Sequence, residues 1–160
     1  MKHGFTFRYA AAADFATVLE LAGQLARQIE EEAPALTVAQ FERYYVGPGA
    51  PMRLLLAVSD GRVVGMISWT LTHELYSGDT RVYISDVSVD QSARGQGVGA
   101  ALMAEVKVWA RAHNAAKLGW EVWHRNFAAK AFYERLGASI DEEAIPYVLE
   151  LKDEEQGVSK

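Results

Sequence analysis

Apolar and polar positions along the chain recur with periods that divide it into short elements. Residues 5–9 (FTFRY) alternate, which predicts a short strand. Asp14 is placed to cap a helix in which Phe15, Val18, Leu19, Ala22, Leu25, Ala26 and Ile29 fall at i, i+3, i+4 spacing. Thr37 predicts the N-cap of a second, shorter helix to about Tyr45, broken by Gly47-Pro48-Gly49. Residues 53–58 (RLLLAV) and 62–72 (RVVGMISWTLT) flank Asp60-Gly61. Asp-Gly between two apolar runs predicts a hairpin, because both central residues of that turn need φ > 0. Residues 80–89 (TRVYISDVSV) predict the next strand. A helix is expected from about Gly97 to His113, with Val98, Leu102, Val106, Trp109 and Ala110 on one face and Asn114 as its stop. Residues 117–123 (KLGWEVW) predict a strand, and Phe127–Leu136 a last helix closed by Gly137 in the left-handed region. Short strands near 138–140 and 147–151 are expected to finish the fold, and the polar residues 152–160 to form a frayed tail. The order β-α-α-β-β-β-α-β-α-β-β, without repeat or linker, predicts one mixed α/β domain over residues 1–160.

Composition narrows the function classes. Half of the 160 residues are apolar and 23% are charged, so the chain has the material for a packed core. Cysteine is absent, which excludes disulfides, thiolate metal sites and an acyl-cysteine route, and suits a cytoplasmic setting. The histidines at 3, 73, 113 and 124 form no ligand spacing, so no metal is expected. A net charge of −5 argues against nucleic acid, whose binding is dominated by phosphate contacts, and is compatible with a cationic substrate. No apolar run approaches the ~20 residues of a membrane span, so no membrane partner is expected. The start, MKHGFTFRYA, lacks the apolar run of a signal peptide.

The candidate chemistry begins at Arg94-Gly95-Gln96-Gly97-Val98-Gly99. This segment follows a predicted strand and opens a predicted helix. Glycines let backbone approach an anion closely, and a helix start offers unpaired N–H groups at the positive end of its dipole. Arg94 adds a charge suited to phosphate. Gly-Lys-Ser/Thr is absent, which argues against a P-loop. Gly95, Gly97 and Ala100 fit the loose dinucleotide fingerprint, but too little chain follows to build the second half of such a fold.

These residues resemble the GNAT acetyltransferase superfamily. Its pyrophosphate motif, Arg/Gln-x-x-Gly-x-Gly/Ala, is matched by Arg94, Gly97 and Gly99, and Asp86-Val87-Ser88-Val89 is similar to its fourth strand. About 30 residues downstream, Asn126, Ala129, Phe132, Tyr133 and Gly137 match its Asn-x-x-Ala-x-x-x-Tyr…Gly signature. The resemblance implies a single-domain α/β (α+β) fold with a mostly antiparallel sheet splayed between strands 4 and 5 and about four helices. Within the superfamily, the chain looks most like the diamine (spermidine/spermine-type) acetyltransferases, at Tyr83 to Asp86, Arg94 to Gly99, and Asn126 to Ser139. Those enzymes usually carry Glu-Asp in the fourth strand, with the Glu proposed to help deprotonate the amine; here the pair is Ser85-Asp86.

The resemblance implies acetyl-CoA as cosubstrate, an amine of small-molecule size as acceptor and direct attack in a ternary complex. A protein amine, or a non-catalytic acetyl-CoA-binding module, is the alternative. It assigns backbone N–H of Val87 to the oxyanion, Val89 to the pantetheine arm, and the amides of Gln96 to Ala100 (with Gly97, Val98 and Gly99 between) to the pyrophosphate. Asn126 would hydrogen-bond the lower cofactor arm, Phe132 would pack on it, and Ala129 belongs to the same helical signature. Tyr133 would protonate the departing thiolate. An alkyl ammonium has no lone pair, so a base or a desolvating pocket is needed; with Ser85 where the Glu is expected, the base would be another residue, a water chain or the amine's own neutral fraction. The candidates are Asp86, Glu121 and Tyr83, with Asp86 and Tyr83 on opposite faces by strand alternation and Glu121 on the neighbouring strand. Trp69, Trp109, Trp120 and Trp123 are expected to fill core, with Trp69 or Trp123 a candidate to line an acceptor pocket as well, and Glu30-Glu31-Glu32 reads as a solvated helix end or as the rim of a cationic acceptor site. A homodimer paired through residues 145–151 is expected from related enzymes and from the exposed edge such a segment would present.

Overall fold

A computed structural model of the protein describes residues 4–151; the expected tail at 152–160 lies outside them. The centre is one five-stranded sheet in the order β1-β2-β3-β4-β5. β1 (Thr6–Tyr9), β2 (Arg53–Ser59), β3 (Arg62–His73) and β4 (Thr80–Val89) pair antiparallel, and β5 (Ala115–Gly119) joins β4 in parallel. The β2–β3 turn is the expected Asp-Gly hairpin, with Asp60 at φ 49° and Gly61 at φ 77°.

Helices cover both faces, which is why the β2 run is nearly continuous in apolar residues rather than alternating. Leu55, Ala57, Ile67, Trp69, Val82 and Ile84 pack against α3 (Val98–Ala112) through Val98, Leu102, Met103 and Val106. The intervening residues Leu54, Leu56 and Met66 pack against α1 (Phe15–Gln28) and α2 (Val38–Phe41) through Val18, Leu21 and Phe41. α4 (Phe127–Arg135) lies on the α3 side, where Phe132 and Tyr133 join that core. The single sheet with its four helices matches the predicted fold class.

Five local expectations need correction. Asp14 does not cap α1: its carboxylate accepts the Ala11 N–H at 2.8 Å and pairs with Arg8 at 2.7 Å, closing a 3₁₀ turn just before the helix. α2 is a single turn, capped as expected by Thr37, and the chain runs on as a π-helical turn over Glu42–Val46. β5 covers 115–119 rather than 117–123, because Trp120 to Trp123 leave the sheet. Residues 138–140 and 147–151 form no strand; Tyr147, Val148 and Leu149 are 85–92% exposed, so their apolar pattern finds no partner among the described residues. Finally, Tyr83 and Asp86 share a face. β4 bulges between Ile84 and Asp86: Trp69 faces Ile84 while Ser68 faces Asp86, leaving Ser85 as the extra residue. Alternation therefore slips by one, and Asp86 turns to the α1/α2 side with Tyr83, whose partner is Thr70.

Candidate active site

The bulge sits where the sheet opens. β4 and β5 pair only from Thr80↔Ala115 to Tyr83↔Gly119. Beyond that, residues 84–89 have no partner on the β5 side, and a cleft of about 600 Å³ lies between them and Trp120–Trp123. The start of α3, the inner side of α4 and Leu25, Gln28 and Ile29 at the end of α1 complete its walls. The direction of the free backbone groups follows from the ladder. Asp90 N–H donates to Val64 C=O at 2.9 Å, which makes Gly65↔Val89 a non-hydrogen-bonded pair. Val89, and Val87 two residues earlier, therefore turn N–H and C=O away from β3 and towards the cleft. Arg94 Nε–H donates to the Val89 carbonyl at 3.1 Å from that side.

One end of the cleft is built from backbone. Gly95 (φ 75°) and Gly97 (φ 86°) adopt left-handed conformations that a side chain would strain. The first helical bond of α3 runs from Ala101 N–H to Gly97 C=O at 3.0 Å, so the N–H groups of Val98, Gly99 and Ala100 have no acceptor within the helix. A Cβ on Gly99 would meet Phe132 Cζ at 3.2 Å, so glycine is what lets α3 and α4 approach here. The loop is anchored behind by Asp90, 6% exposed, whose carboxylate accepts from Ser92 N–H (3.0 Å), the Ser92 hydroxyl, Gln24 Nε2 (3.1 Å) and Arg62 (3.3 Å). These bonds, Ser92 and Gln24 first, hold the Asp90 carboxyl below its ordinary range against the opposing effect of burial.

The other end is built from side chains. Tyr133 packs on Trp120 (4.9 Å between centroids) and Phe132 (5.1 Å), and burial pushes its phenol up, so it stays protonated at neutral pH. Its hydroxyl has no hydrogen-bond partner among the described residues. Asp86 accepts one hydrogen bond, from Ser68 Oγ at 2.9 Å. The Tyr45 phenol is pushed up by burial and then by the Asp86 charge; Tyr83 is pushed up by burial, then by Glu121 and Asp86. Two carboxylates and two phenols thus converge from α2's π turn, β4 and the segment after β5.

The cleft brings together Asp86, Val87, Val89, Arg94, Gly95, Gly97, Val98, Gly99, Ala100, Glu121, Asn126, Ala129, Phe132 and Tyr133. Gln96 is not in its wall; its side chain turns back to donate to Ser92 C=O at 3.1 Å. Asn126 uses Oδ1 to cap α4 through Ala129 N–H at 3.1 Å, leaving its amide N–H₂ for other contacts. Trp69 is core, 1% exposed and packed on Trp109 at 5.4 Å, whereas Trp120 and Trp123 line the cleft. Glu30 pairs with Arg125 at 3.3 Å, joining the end of α1 to the approach of α4. Sequence reasoning missed Ser68, because only the bulged register sets it against Asp86, and it missed Leu25 and Ile29, read simply as core positions of α1. Among the described residues, no group of three or more metal-ligating side chains occurs and no helix is long and apolar enough to cross a membrane.

Comparison with known proteins gives a consistent picture. The chain is 33% identical over 100 residues to N-acetylaspartate synthetase of Rattus norvegicus, and equally to that of Homo sapiens; the match covers 62% of this chain but only 32% of each relative. The chain thus spans about a third of the length of these curated relatives. Among solved structures, a Trypanosoma brucei acetyltransferase superposes with a TM-score of 0.69 at 27% identity, covering 91% of this chain and 99% of that one. An aminoglycoside acetyltransferase from an uncultured soil metagenomic sample, solved with sisomicin, shares the fold at a TM-score of 0.76 and 15% identity, covering 92% and 97%. A model of the acetyltransferase (GNAT) family matches residues 15–138, which include the splayed strands, the glycine loop and α4. The chain belongs to the GNAT acetyltransferase family.

Proposed function

We propose that this protein transfers the acetyl group of acetyl-CoA to a primary amine of a small molecule, by direct attack in a ternary complex. One observation carries the reading: a single cleft joins anion-binding amides at the start of α3, the free edge of β4 and a protonated tyrosine. The residues present fit acetyl-CoA. Amides of Val98, Gly99 and Ala100, with Arg94, suit its pyrophosphate. Val89 suits the pantetheine amide as an added strand would, and the amide of Asn126 suits the same arm. Gln96 serves through its backbone.

The chemistry follows from these groups. An alkyl ammonium of pKa near 10.4 is neutral to only about one part in a few thousand at pH 7. A carboxylate of the cleft, Asp86 or Glu121, takes a proton from it, and the freed lone pair attacks the thioester carbonyl carbon. An N–C bond forms and the C–S bond breaks. Val87 N–H donates to the carbonyl oxygen as negative charge gathers there. Tyr133 gives its proton to the departing sulfur, and recovers one as the nitrogen loses its second. The balance is amide, thiol and one proton released to solvent through the base.

A cationic acceptor suits the uncompensated carboxylates Asp86 and Glu121 and the resemblance to diamine acetyltransferases around Tyr83 and Asn126. We place the activity in the cytoplasm, and the protein in a homodimer joined through the exposed segment Ile145 to Leu151. Sedimentation at micromolar concentration should show the dimer; a monomer removes that part. The reaction is tested by thiol release from acetyl-CoA across a panel of amines. Saturable release with small primary amines is expected. Acetyl-CoA binding without release on any amine would leave a binding module instead.

A further inference from the structure

Ser68 is 1% exposed, in the middle of β3 on the face covered by α1 and α2. A buried hydroxyl needs a partner, and this one donates to Asp86 Oδ2 at 2.9 Å. The pairing exists only because of the bulge. In an uninterrupted ladder Ser68 would face Ser85, and Asp86 would face Ile67 and be turned into the α3-side core. The extra residue instead sets a cleft-lining carboxylate beside a fixed donor, one residue before Val87, whose N–H is turned to the cleft.

Asp86 makes no ion pair among the described residues, and Oδ1 has no partner there. The titratable groups around it are Tyr83 on its own strand, Tyr45 from the π turn and Glu121 from the segment after β5. α1, packed on β4, presents Leu25, Gln28 and Ile29 to the cleft, none of them ionisable. No cation faces Asp86 from these elements, while Ser68 restricts its rotation. Glu121 accepts no hydrogen bond from a described residue, so none of these fixes its direction.

We propose that Ser68 is a positioning residue: it holds Oδ2 of Asp86 so that Oδ1 serves as the base that deprotonates the acceptor ammonium. Oδ1 takes the proton, the nitrogen keeps the electron pair that forms the N–C bond, and the proton passes from Asp86 to solvent. The inference rests on the acetyltransferase reading above and selects Asp86 over Glu121 within it.

The test uses the full chain with its best amine acceptor, in wild type, Ser68→Ala, Ser68→Thr, Asp86→Asn and the Ser68→Ala/Asp86→Asn double variant. Thermal unfolding and calorimetric acetyl-CoA affinity are measured on each, and both should stay close to wild type. A hydrogen bond to a charged group is worth roughly 10- to 100-fold, so Ser68→Ala should lower kcat/KM by about that factor. Ser68→Thr, which keeps the hydroxyl, should restore the rate. Asp86→Asn should lower kcat/KM at least as far, and Ser68→Ala should cost nothing further on that background. A wild-type kcat/KM in Ser68→Ala, or an equal loss with and without Asp86, overturns the inference while leaving the transferase intact. Wild type releasing no thiol with any amine overturns the underlying reading and the inference with it.

Discussion

The two ends of the cleft are built from different materials. At the α3 end the working groups are backbone: left-handed glycines, three helix-start amides and the edge of β4. Its parts lie within about a dozen consecutive residues, and side chains matter mainly by being absent. At the other end the candidate groups are the side chains of Asp86, Glu121 and Tyr133, brought from three separate segments, with Asp86 set by a register slip of one residue. A backbone site is intolerant of added atoms; a side-chain site tolerates change in shape but not in proton chemistry. Substitutions at the two ends should therefore fail in different ways.

The sharpest break is expected at the backbone end. Gly97→Asp puts a Cβ on a residue at φ 86° and a negative charge among amides aimed at an anion. Acetyl-CoA binding should be abolished, while the circular dichroism spectrum is unchanged. Wild-type affinity in this variant, measured by calorimetry, would remove the phosphate site from the loop.

At the side-chain end, Tyr133→Phe keeps the ring that packs on Trp120 and Phe132 and removes only the proton. The affinity for acetyl-CoA should hold and kcat should fall by roughly 10²–10⁴-fold, the range of general acid catalysis. Because burial raises the phenol, the proton stays available up to alkaline pH, so the wild-type kcat profile should show no loss from this group near neutrality. An unchanged kcat at saturating substrate would make Tyr133 a packing residue.

The same contrast explains what was legible in the sequence. The glycine loop could be placed because its signal is local: three glycines, an arginine, a preceding strand and a following helix. The Asn126…Tyr133 spacing is likewise one helix. The β2–β3 hairpin was legible for the same reason, since Asp60-Gly61 carries its own turn chemistry. The bulge at Ser85 was not, because nothing in YISDV marks which residue the opposite strand will skip; that is decided by how Trp69 and Ser68 bury on opposite faces of β3. Alternation counted along one strand therefore set Asp86 on the wrong face. Residues 147–151 failed in the opposite direction. Their apolar pattern is that of a strand, but pairing needs a partner edge, which no pattern within the segment can supply.

The smallest effect is expected behind the loop, where a side chain supports the backbone end. Asp90 bonds Ser92, Gln24 and Arg62, tying the turn before Arg94 to α1 and β3. Asp90→Asn keeps the shape and weakens these charge-assisted bonds, at a cost of about 2 kcal/mol in stability. The sign of the pH dependence is fixed by the direction of the shift. The folded carboxyl is held below its unfolded value, so its stabilisation is fully present above about pH 4, and is lost as pH falls through the lower folded value. Urea unfolding should therefore separate wild type from Asp90→Asn at pH 7 and bring them together near pH 2. Acetyl-CoA affinity should weaken only a few-fold, because the glycines and helix amides of the loop are unchanged. A loss as large as that of Gly97→Asp would mean that the loop owes its shape to Asp90 rather than to its own backbone, and the division between the two ends of the cleft would fail.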